Sequence, residues 1–306
     1  MTTASNHLAS IDEPVSFYLK MLGPNSRPTM RYVLQQVAER FGFDDIPITE
    51  VPWQSILPAH VVALRDALCA EGYAVDTVKL YMNAVRGVLN AAWVLKLIPR
   101  EHLDEIRQIK PPRGASLPRG KNIKRNIIRE IMENCSADSR PQGVRDAALI
   151  AVLYGSGMRK SESVNIQITD IDFNEHCIYV VGKGNRELKK FAPDWVFEKV
   201  KTWIDFRAQF TPNAPFLFNR IRKGGKVLDC QITKDGIYHI VKQRGLQVGV
   251  SIMPHDFRRS FITRVIDEHD LSIAQKLADH ASTATTVRYD MRGEDKKRNV
   301  VDGMTL

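Results

Sequence analysis

Through the first hundred residues apolar side chains recur at the spacing of a helix face, and nowhere do they alternate in the manner of a strand. Met30, Val33, Leu34, Val37, Ala38 and Phe41 mark one such face, after an Asn25-Ser26 start signal with Pro28 in the first turn; Gly42 closes it. Leu57 to Glu71 predicts a second amphipathic helix ended by Gly72. Asp76 is expected to cap a third, whose apolar line runs Val78, Met82, Val85, Leu89, Ala92 and Trp93. A shorter segment, Val15 to Leu22, precedes them. The pattern predicts an all-α region over residues 1–108.

The pattern then breaks. Residues 109–122 read IKPPRGASLPRGKN, with three prolines, two glycines and four basic residues in fourteen positions, an extended basic linker. Two readings of it stand level: a solvated tether, or a strap along a phosphate backbone carried by Arg113, Arg119 and Lys121, with Lys124 and Arg125 just beyond. Helical patterns resume at Ile123 to Glu133 and at Arg145 to Tyr154; the second is apolar nearly all round, as a central buried helix would be. It stops at Gly155-Ser156-Gly157, and a short helix begins near Met158-Arg159. Strand-like segments follow at Ile166 to Phe173, Cys177 to Val181 and Leu188 to Ala192, joined by turns at Asn174-Glu175 and Gly182-Lys183-Gly184-Asn185. Helices are expected to dominate from there to the end. The fold class read from this is mainly α: a helical N-terminal domain, then an α-rich domain over residues 123–306 holding a small antiparallel three-stranded sheet.

Charge sharpens this division. The chain carries 44 Lys and Arg against 35 Asp and Glu, a net +9, which points to a polyanionic partner. Residues 1–110 hold 11 basic and 12 acidic side chains, so the whole excess lies beyond them. The longest apolar run, Ala147 to Tyr154, is far too short to span a membrane, and residues 1–10 lack the basic and apolar regions of a signal peptide. A cytoplasmic, nucleoid-associated protein is the expectation. Cys69, Cys135, Cys177 and Cys230 are too scattered for a zinc knuckle or a CxxC pair and read as reduced, mostly buried thiols.

Several chemistries find no support. There is no GxGxxG after a strand, no GxxxxGK[ST], no HExxH, no GxSxG and no carboxylate cluster for two magnesium ions. What remains is a set of basic residues and one tyrosine. Arg159 follows the buried helix at the start of another, where guanidinium and free backbone N–H groups would converge on an anion; capping or pairing with Glu162 explains it equally well. His255 and Arg258, three apart, share a helix face whose buried stripe is Phe257, Phe261, Ile262 and Val265. In the first turn His255 faces the positive end of the helix dipole, which disfavours its protonated form. His280 follows a short helix expected to be capped by Ser272, and Tyr289 lies nine residues on. Taken locally, Tyr289 is an ordinary core aromatic and Lys183 an exposed turn lysine.

Their order is more specific than any one of them. An Arg after a buried helix, a Lys on a β-hairpin, His-x-x-Arg on a helix, then His and Tyr nine apart resemble the signature of the tyrosine site-specific recombinases, the phage integrase family. LYGSGMRKSE, VVGKGNRELKKFAP, PHDFRRSFIT and TTVRYD are similar to that family's boxes, and its division into helical core-binding domain, linker and catalytic domain covers nearly the whole chain. The resemblance implies that Arg159 and Arg258 grip the scissile phosphate, Lys183 protonates the departing 5′ oxygen, His255 assists proton transfer at the nucleophile, His280 hydrogen-bonds the phosphate and Tyr289 attacks phosphorus. Glu162 would support the His and Arg. One departure is visible: Ala278-Asp279 precede His280 where the family usually has Leu-Gly, and Asp279 is expected to face solvent.

What the resemblance implies about partners is a double-stranded DNA with inverted-repeat core sites and a homotetramer assembled on it, with room for an accessory protein or second recombinase. It implies no metal, no ATP and no other cofactor. Residues 294–306 would dock on a neighbouring subunit, or else pack on their own. A type IB topoisomerase or telomere resolvase uses the same residue types, and a regulator that has lost catalysis is a further alternative.

Overall fold

Proline opens several of the helices and glycine follows several, because a first turn has no use for the N–H that proline lacks and glycine reaches positive φ where a helix must stop. The computed structural model describes residues 13–114, 120–182, 184–290 and 301–302. It divides into two compact units, residues 1–117 and 118–306.

In the first unit, α1 (Pro14–Met21), α2 (Arg27–Arg40), α3 (Pro58–Ala70), α4 (Val75–Val94) and α5 (Arg100–Gln108) pack round α4. Val78, Met82, Val85 and Leu89 of α4 are fully buried against Leu34 and Val37 of α2 and Val61 and Leu68 of α3. Asp76 lies inside the first turn of α4 while Ala74 holds the cap position, so it contributes through the helix dipole and not as a cap. The sequence reading passed over α5, whose Leu103 and Ile106 complete this core. The segment after α5 stays on the unit: the Arg86 guanidinium donates to the Ile109 carbonyl and Arg65 Nη1 to that of Lys110, at 3.3 Å.

The second unit is built on α7 (Pro141–Gly155), which is buried from Arg145 to Gly155 and packs against α6 (Arg125–Ala137), α9 (Asp194–Ala208) and α11 (Pro254–Glu268). Two charges interrupt its apolar surface. Asp146 accepts from Arg145 Nε and Nη2 at 3.0 and 2.8 Å and from Arg244 Nε at 2.8 Å. After α8 (Lys160–Ser163) comes the meander β1 (Ile171–Asp172), β2 (Cys177–Val181) and β3 (Glu187–Phe191), antiparallel in the order β1-β2-β3. Three of the eight residues read as a first strand form a turn of 3-10 helix, Ile168–Asp170, where the Asp170 carboxylate draws the Gln167 N–H back to it at 2.8 Å, and only Ile171–Asp172 pair as a strand. A second hairpin, β4 (Asn219–Ile221) with β5 (Val227–Gln231), stands in the stretch where helices were expected to dominate. Helices α10 (Lys234–Gln247), α11, α12 (Leu271–Leu277) and α13 (Thr283–Val287) follow.

Asp270, not Ser272, caps α12, its carboxylate accepting from the Ile273 N–H at 2.8 Å. Of the four free cysteines, Cys135 and Cys177 are buried, Cys230 is half-buried and Cys69 is exposed. No helix among the described residues is long and apolar enough to cross a membrane.

Candidate active site

Arg159, Glu162, His255, Arg258, His280 and Tyr289 come together in the second unit. Lys183 lies outside the described residues, as do Arg119 and all of the 294–306 segment but residues 301–302.

The site begins where α7 ends. Gly157 turns the chain at φ +62°, and a Cβ there would lie 2.3 Å from the Phe261 ring, so conformation and space both demand glycine. Its carbonyl accepts from Arg258 Nη1 at 2.7 Å. Two residues on, Arg159 occupies the N-cap of α8 and is held twice by the buried Glu162 carboxylate, through its backbone N–H at 2.8 Å and through Nη1 at 2.6 Å. The ion pair with Glu162 is therefore real, yet a third of the Arg159 side chain stays open (34% exposed) and can meet a ligand.

Helix α11 supplies the centre. Arg258 is fully buried, with Nη2 donating to the Ala278 carbonyl and lying 3.2 Å from His280 Nε2. Burial first, and repulsion from Arg159 next, bring this guanidinium down to about 10, against the pull of Glu162 and Tyr289. The two guanidiniums repel one another, and an anion bound by both would relieve that repulsion.

His280 is buried at 7% exposure, and its Nδ1 lies 3.0 Å from the Thr286 hydroxyl. Since Arg258 can only donate, His280 Nε2 accepts and Nδ1 carries the proton toward Thr286. Burial, then Arg258, Arg159, Lys190 and His255, lower its pKa to about 4, so the ring is neutral at pH 7. His255 is lowered too, by burial of its ring and then by Arg258 and Arg259, although one side of the residue is open to solvent.

The Tyr289 hydroxyl lies 2.9 Å from His255 Nε2. Its ring is enclosed by His255 and His280, with centroids 5.4 and 5.0 Å away, and by the Arg259 guanidinium, 5.1 Å from the ring centre. It is half-buried against a small separate core of Ile262, Val265, Ile266, Ala274 and Ala278. The core-aromatic reading thus describes its ring, and the contact with His255 describes its hydroxyl. A neutral imidazole in that contact can take the phenolic proton.

Several residues that sequence reasoning missed hold the site together. Arg259 Nη1 donates to the Arg288 carbonyl at 3.2 Å, and the Thr263 hydroxyl to the Tyr289 carbonyl at 2.6 Å. The i, i+4 spacing of Arg259 and Thr263 marks a second polar face on α11 and was the available signal. Asp279 corrects an expectation: it turns inward to an ion pair with Lys190, because it sits at φ +48° and the cation is buried beneath it. Of the basic residues in the linker and just beyond it, Arg113, Lys121, Lys124 and Arg125 are exposed. Lys121 bonds the Asp256 carboxylate through its N–H at 2.9 Å and the Ser251 carbonyl through Nζ at 3.2 Å, and Arg125 pairs with Glu268.

Residues 121–294, more than half of the chain, match the model of the phage integrase family. Tyrosine recombinase XerC of Yersinia pestis is 29% identical over 266 residues, spanning 84% of this chain and 79% of its own; XerC of Proteus mirabilis is 31% identical over 241 residues, spanning 78% and 75%. The fold is also that of the XerH site-specific recombinase bound to a palindromic difH substrate in a post-cleavage complex, with a TM-score of 0.66 at 20% identity over 88% of this chain and 75% of that one. With its arginines, histidines and tyrosine gathered in the matched region, this chain belongs to the phage integrase family, the tyrosine site-specific recombinases.

Proposed function

We propose that this protein cuts and rejoins duplex DNA at defined sites through a covalent 3′-phosphotyrosine. The observation that carries this reading is the Tyr289 hydroxyl 2.9 Å from His255 Nε2, beside the buried Arg258 and His280. Tyr289 Oη attacks phosphorus, its proton passes to His255, and the bond from phosphorus to the 5′ oxygen breaks. That oxygen leaves with a proton from Lys183. Arg159 and Arg258 neutralise the charge gathered on the non-bridging oxygens, a role that fixed donors fill without reorganising. An entering phosphate offers Arg258 a better acceptor than His280 Nε2, and the imidazole, freed and drawn toward protonation by that anion, then donates to a phosphate oxygen. Glu162 keeps Arg159 in place. The phosphotyrosine retains the energy of the broken bond, so a 5′ hydroxyl from another strand reverses the step and no nucleotide is consumed.

The relatives' activity and the matched family support DNA as the partner. The wider assembly follows from the same reading: inverted-repeat core sites, a homotetramer on two duplexes, the helical unit of residues 1–108 clasping DNA, and linker residues 109–122 laid on its backbone. Arg113 and Lys124 are open to phosphates, Arg119 is proposed with them, and Lys121 and Arg125 join them by leaving Ser251 and Glu268.

A pool of nicked duplexes with a randomised core, incubated with the protein and recovered as SDS-stable adducts, yields a working site and tests the chemistry. Wild type should form adduct and Tyr289→Phe none. Wild type that binds duplex but never becomes attached to it would reduce the protein to a DNA-binding regulator. Relaxation of supercoiled plasmids of unrelated sequence would favour the topoisomerase reading.

A further inference from the structure

Lys190 is at odds with its position. It lies on the inward side of β3, opposite Ile178 of β2, where alternation calls for an apolar side chain, and it is 2% exposed. A buried ammonium is stable only when paired and hydrogen-bonded. Its Nζ donates to the Leu277 carbonyl at the end of α12, at 3.2 Å, and forms an ion pair with Asp279. A cation at a helix C-terminus is favourable in itself.

The turn it grips is the one that presents His280. Asp279 takes φ +48°, a left-handed conformation that a side chain adopts at a cost. The next carbonyl back, that of Ala278, accepts from Arg258 Nη2. His280 itself is tied to α12, its N–H donating to the Gln275 carbonyl and its carbonyl accepting from Gln275 Nε2, both at 3.1 Å. Three consecutive residues, 277 to 279, are thus fixed by Lys190 from the sheet and by Arg258 from α11.

We propose that Lys190 and Asp279 form a clamp that positions the catalytic turn: the pair sets the height and angle at which His280 and the Arg258 guanidinium meet the scissile phosphate. Lys190 is a positioning residue, acting through Asp279 and the Leu277 carbonyl, and it takes no part in proton transfer. Removing the clamp releases the strained turn without emptying the site of any group that touches DNA. This inference rests on the strand-transferase reading.

The test is a double-mutant cycle of Lys190→Met, Asp279→Asn and their combination, on the duplex recovered by adduct selection. Asp279→Asn keeps the shape and the left-handed tolerance of aspartate, and its amide oxygen can still accept from Lys190 Nζ, so it is the milder of the two changes. Each folded single variant should form adduct about tenfold or more slowly at saturating DNA, the scale expected when a reacting group is misplaced by a fraction of an ångström. Duplex affinity should stay within about twofold, because uniform binding is untouched. The combination should be no slower than the slower single variant. Lowered melting temperature with an unchanged adduct rate, or single effects that multiply in the combination, would overturn the clamp. If wild type forms adduct and Asp279→Asn matches it, the clamp alone fails; if wild type forms none, the reading beneath it fails as well.

Discussion

At the scale of single residues, the site is governed by protonation and by backbone. His280, at about 4, stays neutral in the folded protein while the unfolded chain titrates near 6.5. As pH falls from about 6.5 toward 4, the unfolded state binds a proton that the folded state refuses, so stability is whole above that window and is lost within it. The loss for this one group is about 3 kcal/mol, at roughly 1.4 kcal/mol per unit of pKa. Urea midpoints at pH 7.5, 5.5 and 4.5 should therefore fall more steeply for wild type than for His280→Gln; parallel curves would contradict the assignment. Thr286→Val should leave Nδ1 of His280 without its partner, lower stability by about 1–3 kcal/mol, and slow adduct formation by freeing the ring to change tautomer. Gly157→Ala meets both a positive φ and the Phe261 ring, and a loss of about 3 kcal/mol in chemical denaturation is expected. Of these residues, sequence order and spacing pointed to His280 and marked Gly157 as the end of a helix. Thr286 carried no local signal, because its importance lies in a partner six residues away round a turn.

The elements show where periodicity suffices and where it does not. In α4 and α7 a continuous apolar face predicted burial, and those faces are the cores of the two units. The β4–β5 hairpin escaped notice because its strands are short and carry polar residues such as Arg220 and Asp229, with no clean alternation between them. A charged pair such as Arg145-Asp146 of α7 ordinarily faces solvent. This one is instead buried beside Arg244, so that each charge is matched inside the core. Asp146→Ala should leave the buried Arg145 without a carboxylate and Arg244 with Asp138 alone, and destabilise the protein by about 3–5 kcal/mol. Thermal or urea unfolding that changes by less than about 1 kcal/mol would show the network to be dispensable.

At the scale of the whole molecule, each unit closes its own apolar core. Residues 118–306, expressed alone, should unfold in one cooperative transition and still react covalently with DNA, but with weaker affinity; a fragment without a cooperative transition would show that the site needs the first unit to form. Because the positive excess lies beyond residue 110, duplex affinity of the full chain should fall linearly with the logarithm of salt concentration, and Arg113→Ala with Lys124→Ala should flatten that slope by about two. Composition and order alone determined the mainly α fold, and with the family resemblance they pointed to six residues that the structure brings together, since helix faces, turn residues and motif spacing are properties of neighbouring positions. Only the tertiary structure decided which tautomer His280 holds, that Tyr289 rests on His255, and that Asp279 turns inward to Lys190. The last two of those contacts join residues far apart in the chain, His255 with Tyr289 and Lys190 with Asp279. Their energies arise from burial and from charges brought together, which exist only once the core has closed.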